Sequence, residues 1–298
     1  MDSGLPKTVM HIFESTKPKQ TFLLLLTMLG AYATGYVYLG SSNFSPSFLI
    51  ALLLMGYLAV GGTTLLNMYF DVDIDSVMER TKGRPLPSKK LDKRVALACG
   101  TLMVITSLAI AWDINVYVFA AVLAGFAFDI FGYTLLMKRR SPLSIFVGAV
   151  AGSMPALGGW AAATGSLEAP AFLLASLVFL WQPLHVWFLS FFYSEDYRRA
   201  RVPTLPLVVE PQVFGLIVIV FLVAFVAATG LFVALTGYGI VAFIVCLLGS
   251  LRASLMVLKF INEPEKSLAW RIFKFATPLL ASVFLLIPFE AIARTLVL

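Results

Sequence analysis

Apolar runs of roughly twenty residues, broken by short polar stretches, recur along the whole chain. They fall at about 21–40, 47–70, 95–112, 115–137, 142–163, 170–193, 212–235, 239–260 and 273–293. A helix needs ~20 such residues to cross the ~30 Å hydrocarbon layer of a bilayer. The pattern therefore predicts an all-α polytopic membrane protein with about nine transmembrane helices, forming a single membrane domain over 1–298 with no separate soluble domain. The eighth and ninth runs are the least clean, because Arg252 and Glu290 lie within them. The polar first twenty residues, followed by an apolar run, can also be read as a signal peptide, with Ala31-Tyr32-Ala33 resembling a cleavage site. The apolar character continues through Leu39, long enough to span, and favours a retained first helix.

Composition agrees. Of 298 residues, 60% are hydrophobic and 13% charged, where a soluble domain carries about 25% charged residues. The net charge of +6 would suit nucleic acid if it formed a basic patch. Here it lies in short loops between spans, so no nucleic-acid partner is expected and membrane lipid is. Cys99 and Cys246 both fall in apolar stretches, which reads as buried small side chains rather than a disulfide.

The basic residues also orient the chain. Lys7, Lys17 and Lys19 precede helix one; Arg80, Lys82, Arg84, Lys89, Lys90, Lys93 and Arg94 follow helix two; Lys138, Arg139 and Arg140 follow helix four. Arg198, Arg199 and Arg201 follow helix six, and Lys259, Lys266, Arg271 and Lys274 flank the last connection. The alternate loops carry none. Lys and Arg near span ends stay cytoplasmic, so the N-terminus and the polar loops are expected inside the cell.

Candidate chemistry sits on these loops. Asn67, Asp71 and Asp75 stand at i, i+4 and i+8, and share a face if the second helix continues. Mg²⁺ takes one or two carboxylates together with water and substrate phosphates, so the spacing suits a metal-bridged diphosphate. The same acids can be read as a solvated helix end paired with Arg80, Lys82 and Arg84. Acids at a membrane boundary and at a helix C-terminus are costly, which favours function. A second acidic pair, Glu195 and Asp196, follows helix six, again trailed by basic residues and prolines, a weak echo of the first and compatible with a duplicated four-helix unit. Pro183 is expected to interrupt helix six beside Gln182 and His185. His185 reads either as an acceptor contact or as a hydrogen-bonded core histidine. Asp129 lies inside helix four, with Tyr133 and Lys138 beyond it, and a pairing of Asp129 with Arg252 is conceivable.

These motifs resemble the UbiA superfamily of intramembrane prenyltransferases. Asn67-x3-Asp71-x3-Asp75 is similar to that superfamily's first motif. Thr16-Lys17-Pro18-Lys19, Asp73 through Pro85, Tyr133 through Pro142, Gly148 through Trp160, Trp181-Gln182-x2-His185 and Asp196 through Pro206 resemble its haem O synthase branch in order along the chain. The resemblance implies Mg²⁺-dependent transfer of an isoprenyl group, farnesyl in that branch, from its diphosphate to haem b, giving haem O. It implies Asn67, Asp71, Asp75, Asp196 and Glu195 as metal-side residues. It implies Lys19, Arg80, Arg84, Tyr133, Lys138 and Arg199 around the diphosphate, and His185, Gln182 and Trp181 around the acceptor. Met68 stands where the wider superfamily often has Asp, and the second cluster lacks two acids four residues apart. Alternatives are a relative acting on an aromatic quinone precursor or a lipid alcohol, and a transporter or haem-handling protein; against a transporter, the polar residues gather at helix ends rather than at the midplane.

Overall fold

A computed structural model describes residues 4–40 and 45–297, and every regular element among them is helical. The chain begins with α1 (Leu5–Ser15), whose only buried residue is Ser15 while Leu5, Val9, Met10 and Phe13 are exposed, as in a helix lying on a membrane surface. Among the described residues it then makes nine helices long and apolar enough to cross a membrane. These are α2 (Pro18–Tyr38), α3 (Pro46–Phe70), α5 (Lys93–Ile114), α6 (Val116–Met137), α7 (Ser144–Thr164), α8 (Ala169–Phe192), α11 (Pro211–Thr236), α12 (Ile240–Asn262) and α13 (Lys266–Val297). The short helices α4 (Val72–Val77), α9 (Ser194–Arg199) and α10 (Leu205–Val208) follow α3 and α8.

Eight of the nine spans start within three residues of the hydropathy boundaries. The ninth starts at Lys266, seven residues earlier than its apolar run suggests. Its first turns bear Lys266 and Arg271 outward yet bury Leu268, Ala269 and Ile272, a mixed face that a hydropathy window averages away. Pro183 does not interrupt α8. The helix widens into π-type turns over Pro183–Trp187 and continues, which accommodates the missing N–H.

In the bundle α7 packs against α2, α6 and α8, and α13 returns against α2 to close the ring. Small residues let the backbones meet, as membrane packing favours. A Cβ on Gly159 of α7 would lie 2.0 Å from the Met28 carbonyl oxygen of α2, and one on Gly30 of α2 would lie 2.4 Å from that of Phe284 on α13. Trp160, Trp187, Phe188, Phe214 and Phe260 fill the interior, while leucines and valines on α11 and α12 face outward. Both cysteines are free.

The two halves share a geometric detail. Helix α3 ends at Asp71 (φ −96°, ψ 9°) and α8 at Tyr193 (φ −94°, ψ 29°), and each turn launches a six-residue helix. The faint sequence echo thus has a counterpart in the backbone.

Candidate active site

The turn at Asp71 separates α3 from α4, yet a hydrogen bond spans each four-residue step: Asp71 N–H donates to Asn67 O (3.0 Å) and Asp75 N–H to Asp71 O (2.8 Å). The i, i+4, i+8 relation therefore survives the bend. Asp71 and Asp75 are buried, while Asp73, out of step with them, is exposed and binds Arg139 at 2.6 and 2.7 Å. That guanidinium, through its hydrogen bonds, holds the Asp73 carboxyl below the usual range.

Cations from other loops close on the buried pair. The Lys138 ammonium binds Asp71 Oδ2, and Arg84 Nη1 donates to Asp75 Oδ2 at 2.7 Å. Asn67 Nδ2 donates to Thr134 Oγ1 on α6 at 2.6 Å, leaving its carbonyl oxygen over. Thr81 Oγ1 binds the Asp75 carbonyl at 3.0 Å and so anchors the basic loop.

Lys17 completes this group, and sequence reasoning missed it in favour of Lys19. Lys19 is exposed on the first turn of α2. Lys17 stands between α1 and α2 with a left-handed backbone (φ 48°), in the electrostatic field of Arg84, Asp75, Lys138 and Asp129. Burial first, and then the neighbouring Arg84 charge, pull its ammonium down to about 8. The following Pro18 was the available signal, because proline disfavours the helical conformation in the residue before it. Lys17 is thus set apart from both helices.

The second cluster differs from expectation. Both oxygens of buried Asp196 accept backbone N–H groups, from Glu79 and Arg80 at 3.0 Å each. Asp196 thus tethers the 79–84 loop. Arg199 reinforces the tether through Glu79 Oε1 at 3.1 Å and lies 3.8 Å from Asp196. Arg80 lies over the Tyr193 ring at 5.2 Å. Glu195 does not join the metal-side group: it is exposed and pairs with Lys266 of α13, because adjacent helical residues point some 100° apart. These pairings link the connections after α3, α6, α8 and α12 at one end of the bundle.

Beneath this charged rim lies a cavity of about 300 Å³ between α2, α3, α6, α7 and α8. Its walls are Leu, Met, Val, Ala and Gly, with Asp129, Tyr133, Gln182, Thr63 and Thr64 as polar groups. Its α3 wall ends at Thr64, one turn before Asn67. Asp129 therefore faces a cavity. Arg252 is elsewhere, over the Phe275 ring at 5.2 Å, so the two do not pair.

A second cavity of about 170 Å³ opens between α2, α8 and α13, lined by Trp181, Gln182, His185 and Thr277 among others. The His185 ring is sandwiched between Trp181 (4.3 Å, 22°) and Phe273 (4.5 Å). Trp181 Nε1 donates to Ala276 O at 2.6 Å, tying α8 to α13. Leu24 and Gln182 line both cavities.

No three His, Cys, Asp or Glu side chains among the described residues converge on a metal-holding point. The donor set still fits a cation shared with phosphate. Asp71 Oδ1 is buried with no hydrogen-bond partner, a costly state for a carboxylate oxygen unless a ligand completes it. Two carboxylates and an amide oxygen match what Mg²⁺ takes from a protein when phosphates and water supply the rest.

Comparison with known proteins agrees with this architecture. The model of the UbiA prenyltransferase family matches residues 24–282. The chain belongs to that family. As a UbiA member it is a prenyltransferase. The protoheme IX farnesyltransferase of Aeropyrum pernix is 45% identical over 95% of this chain and 91% of its own. That of Korarchaeum cryptofilum is 38% identical over 94% of each. Solved structures share this fold, among them the following two. A digeranylgeranylglyceryl phosphate synthase has TM-score 0.78 at 19% identity, over 96% of this chain and 99% of its own. An Archaeoglobus fulgidus UbiA homologue bound to GPP and Mg²⁺ has TM-score 0.67 at 15%, over 93% and 99%.

Proposed function

We propose that this UbiA prenyltransferase transfers a farnesyl group from its diphosphate to haem b, giving haem O. The observation that carries the transfer is the position of the acid and cation group, Asp71, Asp75, Arg84, Lys138 and Lys17, at the head of an apolar cavity. The haem acceptor rests on the names of the Aeropyrum and Korarchaeum relatives.

The residues divide the work. Arg84, Lys138 and Lys17 neutralise the diphosphate, with Arg80 at the rim. Each cation already leans on a carboxylate or sits beside one, so an arriving diphosphate trades into an arranged set of charges. Asp71, Asp75 and the Asn67 carbonyl would hold Mg²⁺, which when bound supplies positive charge to the leaving diphosphate. Asp196 and Arg199 position the 79–84 loop and do not themselves need to touch substrate. The cavity takes the isoprenyl chain and keeps bulk water from the allylic cation. Tyr133 offers its ring at the charged end, with the Lys138 ammonium 5.5 Å from its centroid.

The second cavity is the acceptor side. At about 170 Å³ it is smaller than pockets that enclose whole cofactors, so it suits one edge of a porphyrin, set against Trp181, Gln182 and the rim of the His185 ring. An edge there meets a donor in the first cavity at the wall made by Gln182 and Leu24. The lysine- and arginine-rich loops share the end of the bundle that holds this site, which supports a cytoplasmic active site.

The test is mass spectrometry of haem recovered after incubating the purified protein with haem b, farnesyl diphosphate and Mg²⁺. A farnesylated haem that disappears with EDTA is the expected result. Unchanged haem, with the donor consumed on a phenolic acid or lipid alcohol instead, overturns the acceptor and keeps the prenyltransferase.

A further inference from the structure

Helices α12 and α13 run antiparallel and meet closely: a Cβ on Gly249 would lie 2.4 Å from Leu279 Cδ1. Arg252 lies over Phe275 in the same register. Moving toward the α12–α13 connection, Arg271 is one turn from Phe275 on its face, and Lys259 is two turns from Arg252 on its own. The three cations thus climb one seam, with Arg252 the deepest, roughly 10 Å inside Lys259. All three are exposed, and the α12 surface beside them is apolar: Leu251, Leu255 and Leu258 are 57%, 59% and 45% exposed. None of the three has a carboxylate partner among the described residues. The nearest acids in sequence are Glu263 and Glu265, in or beside the connecting loop, and Glu265 accepts from Ser267.

An arginine held in the lipid-facing part of a span is costly without an anion or water drawn to it. Its planar fork suits phosphate oxygens, and basic pockets between helix ends are where anionic headgroups bind. We propose that the α12–α13 seam is a binding site for an anionic phospholipid. Arg252, Arg271 and Lys259 hold its phosphate, and its acyl chains lie along Leu251 and Leu255. This site is separate from the prenyl-transfer site, whose acceptor cavity lies between α2, α8 and α13.

Native mass spectrometry of the full-length protein with phosphatidylglycerol and phosphatidylcholine tests the site. The wild type should retain phosphatidylglycerol in preference, and Arg252→Gln should weaken that binding about tenfold, the loss of one charge-assisted contact. The triple variant R252Q, K259Q, R271Q should hold both lipids equally while keeping prenyl transfer, which also reports that it folds. Should the triple fail to fold, Arg252→Gln alone decides. Equal retention of both lipids by the wild type, or an undiminished preference in Arg252→Gln, overturns the proposal. Phosphatidylglycerol should raise the thermal midpoint where millimolar inorganic phosphate does not; an equal rise with phosphate would remove the lipid from the assignment.

Discussion

At the scale of single residues, Lys17 shows how position outweighs residue type. Lys17 and Lys19 are two residues apart and chemically identical, yet one faces the charged cluster and the other solvent. Its ammonium is brought down to about 8 by burial and by Arg84, so it is charged at pH 7 and mostly neutral at pH 9. Donor affinity should therefore fall as pH rises through about 8, because the charged form is the one that binds phosphate. A bound diphosphate pulls the value back up, and the resulting proton uptake appears as a slope of log Kd against pH. Isothermal titration with a non-hydrolysable farnesyl diphosphate analogue at pH 7 and 9 checks this. Lys17→Met should weaken binding at pH 7 by roughly 10- to 100-fold and flatten the slope. An unchanged slope in that variant would show that another group titrates. The pair Asp71 and Asp75 was legible from spacing alone, since a four-residue step keeps one helical face. Lys17 was legible only in part: Pro18 marks the turn, but nothing in a linear pattern says which lysine that turn aims inward.

Between elements, the informative contact is the one from Asp196 to the loop after α4. Two neighbouring acids, Glu195 and Asp196, invite the same reading from sequence, and the start of α9 separates them by the ~100° step of a helix. Asp196→Ala leaves two N–H donors without acceptors and frees the loop that carries Arg80 and Arg84. The expected result is a KM for the donor raised about tenfold or more, with a lower thermal midpoint. Glu195→Ala, on an exposed pair, should leave KM within about twofold of wild type. Equal effects of the two would argue against the tether. The α2–α7 contact is a second test of element packing. Gly159→Val sets a side chain against the Met28 carbonyl and should cost about 3 kcal/mol or more, read as a fall in the thermal midpoint in detergent. The Gly148-to-Trp160 segment gave the resemblance its glycines, but only the packed helices show that Gly159 is where α2 approaches.

On the scale of the whole molecule, the alternation of basic and neutral loops predicts which connections lie together, and the ion pairs between them bear that out without reference to a membrane. Which side of the bilayer they face is a separate matter, tested by labelling. In a variant lacking Cys99 and Cys246, a membrane-impermeant maleimide added to intact cells should modify Asp113→Cys and spare Lys90→Cys. The reverse pattern would place the site outside. The nine spans among the described residues, the basic loops at alternate ends and the acid spacing follow from hydropathy and period, because bilayer thickness and helical pitch impose them on any chain with this pattern. How the helices close into a ring, which lysine enters the rim, which acid binds backbone, and the two cavities that share Gln182 and Leu24 as wall residues were decided by tertiary structure alone. Those depend on distances between residues far apart in the chain, set by how closely small residues let helices pack, and a linear pattern carries no record of that spacing.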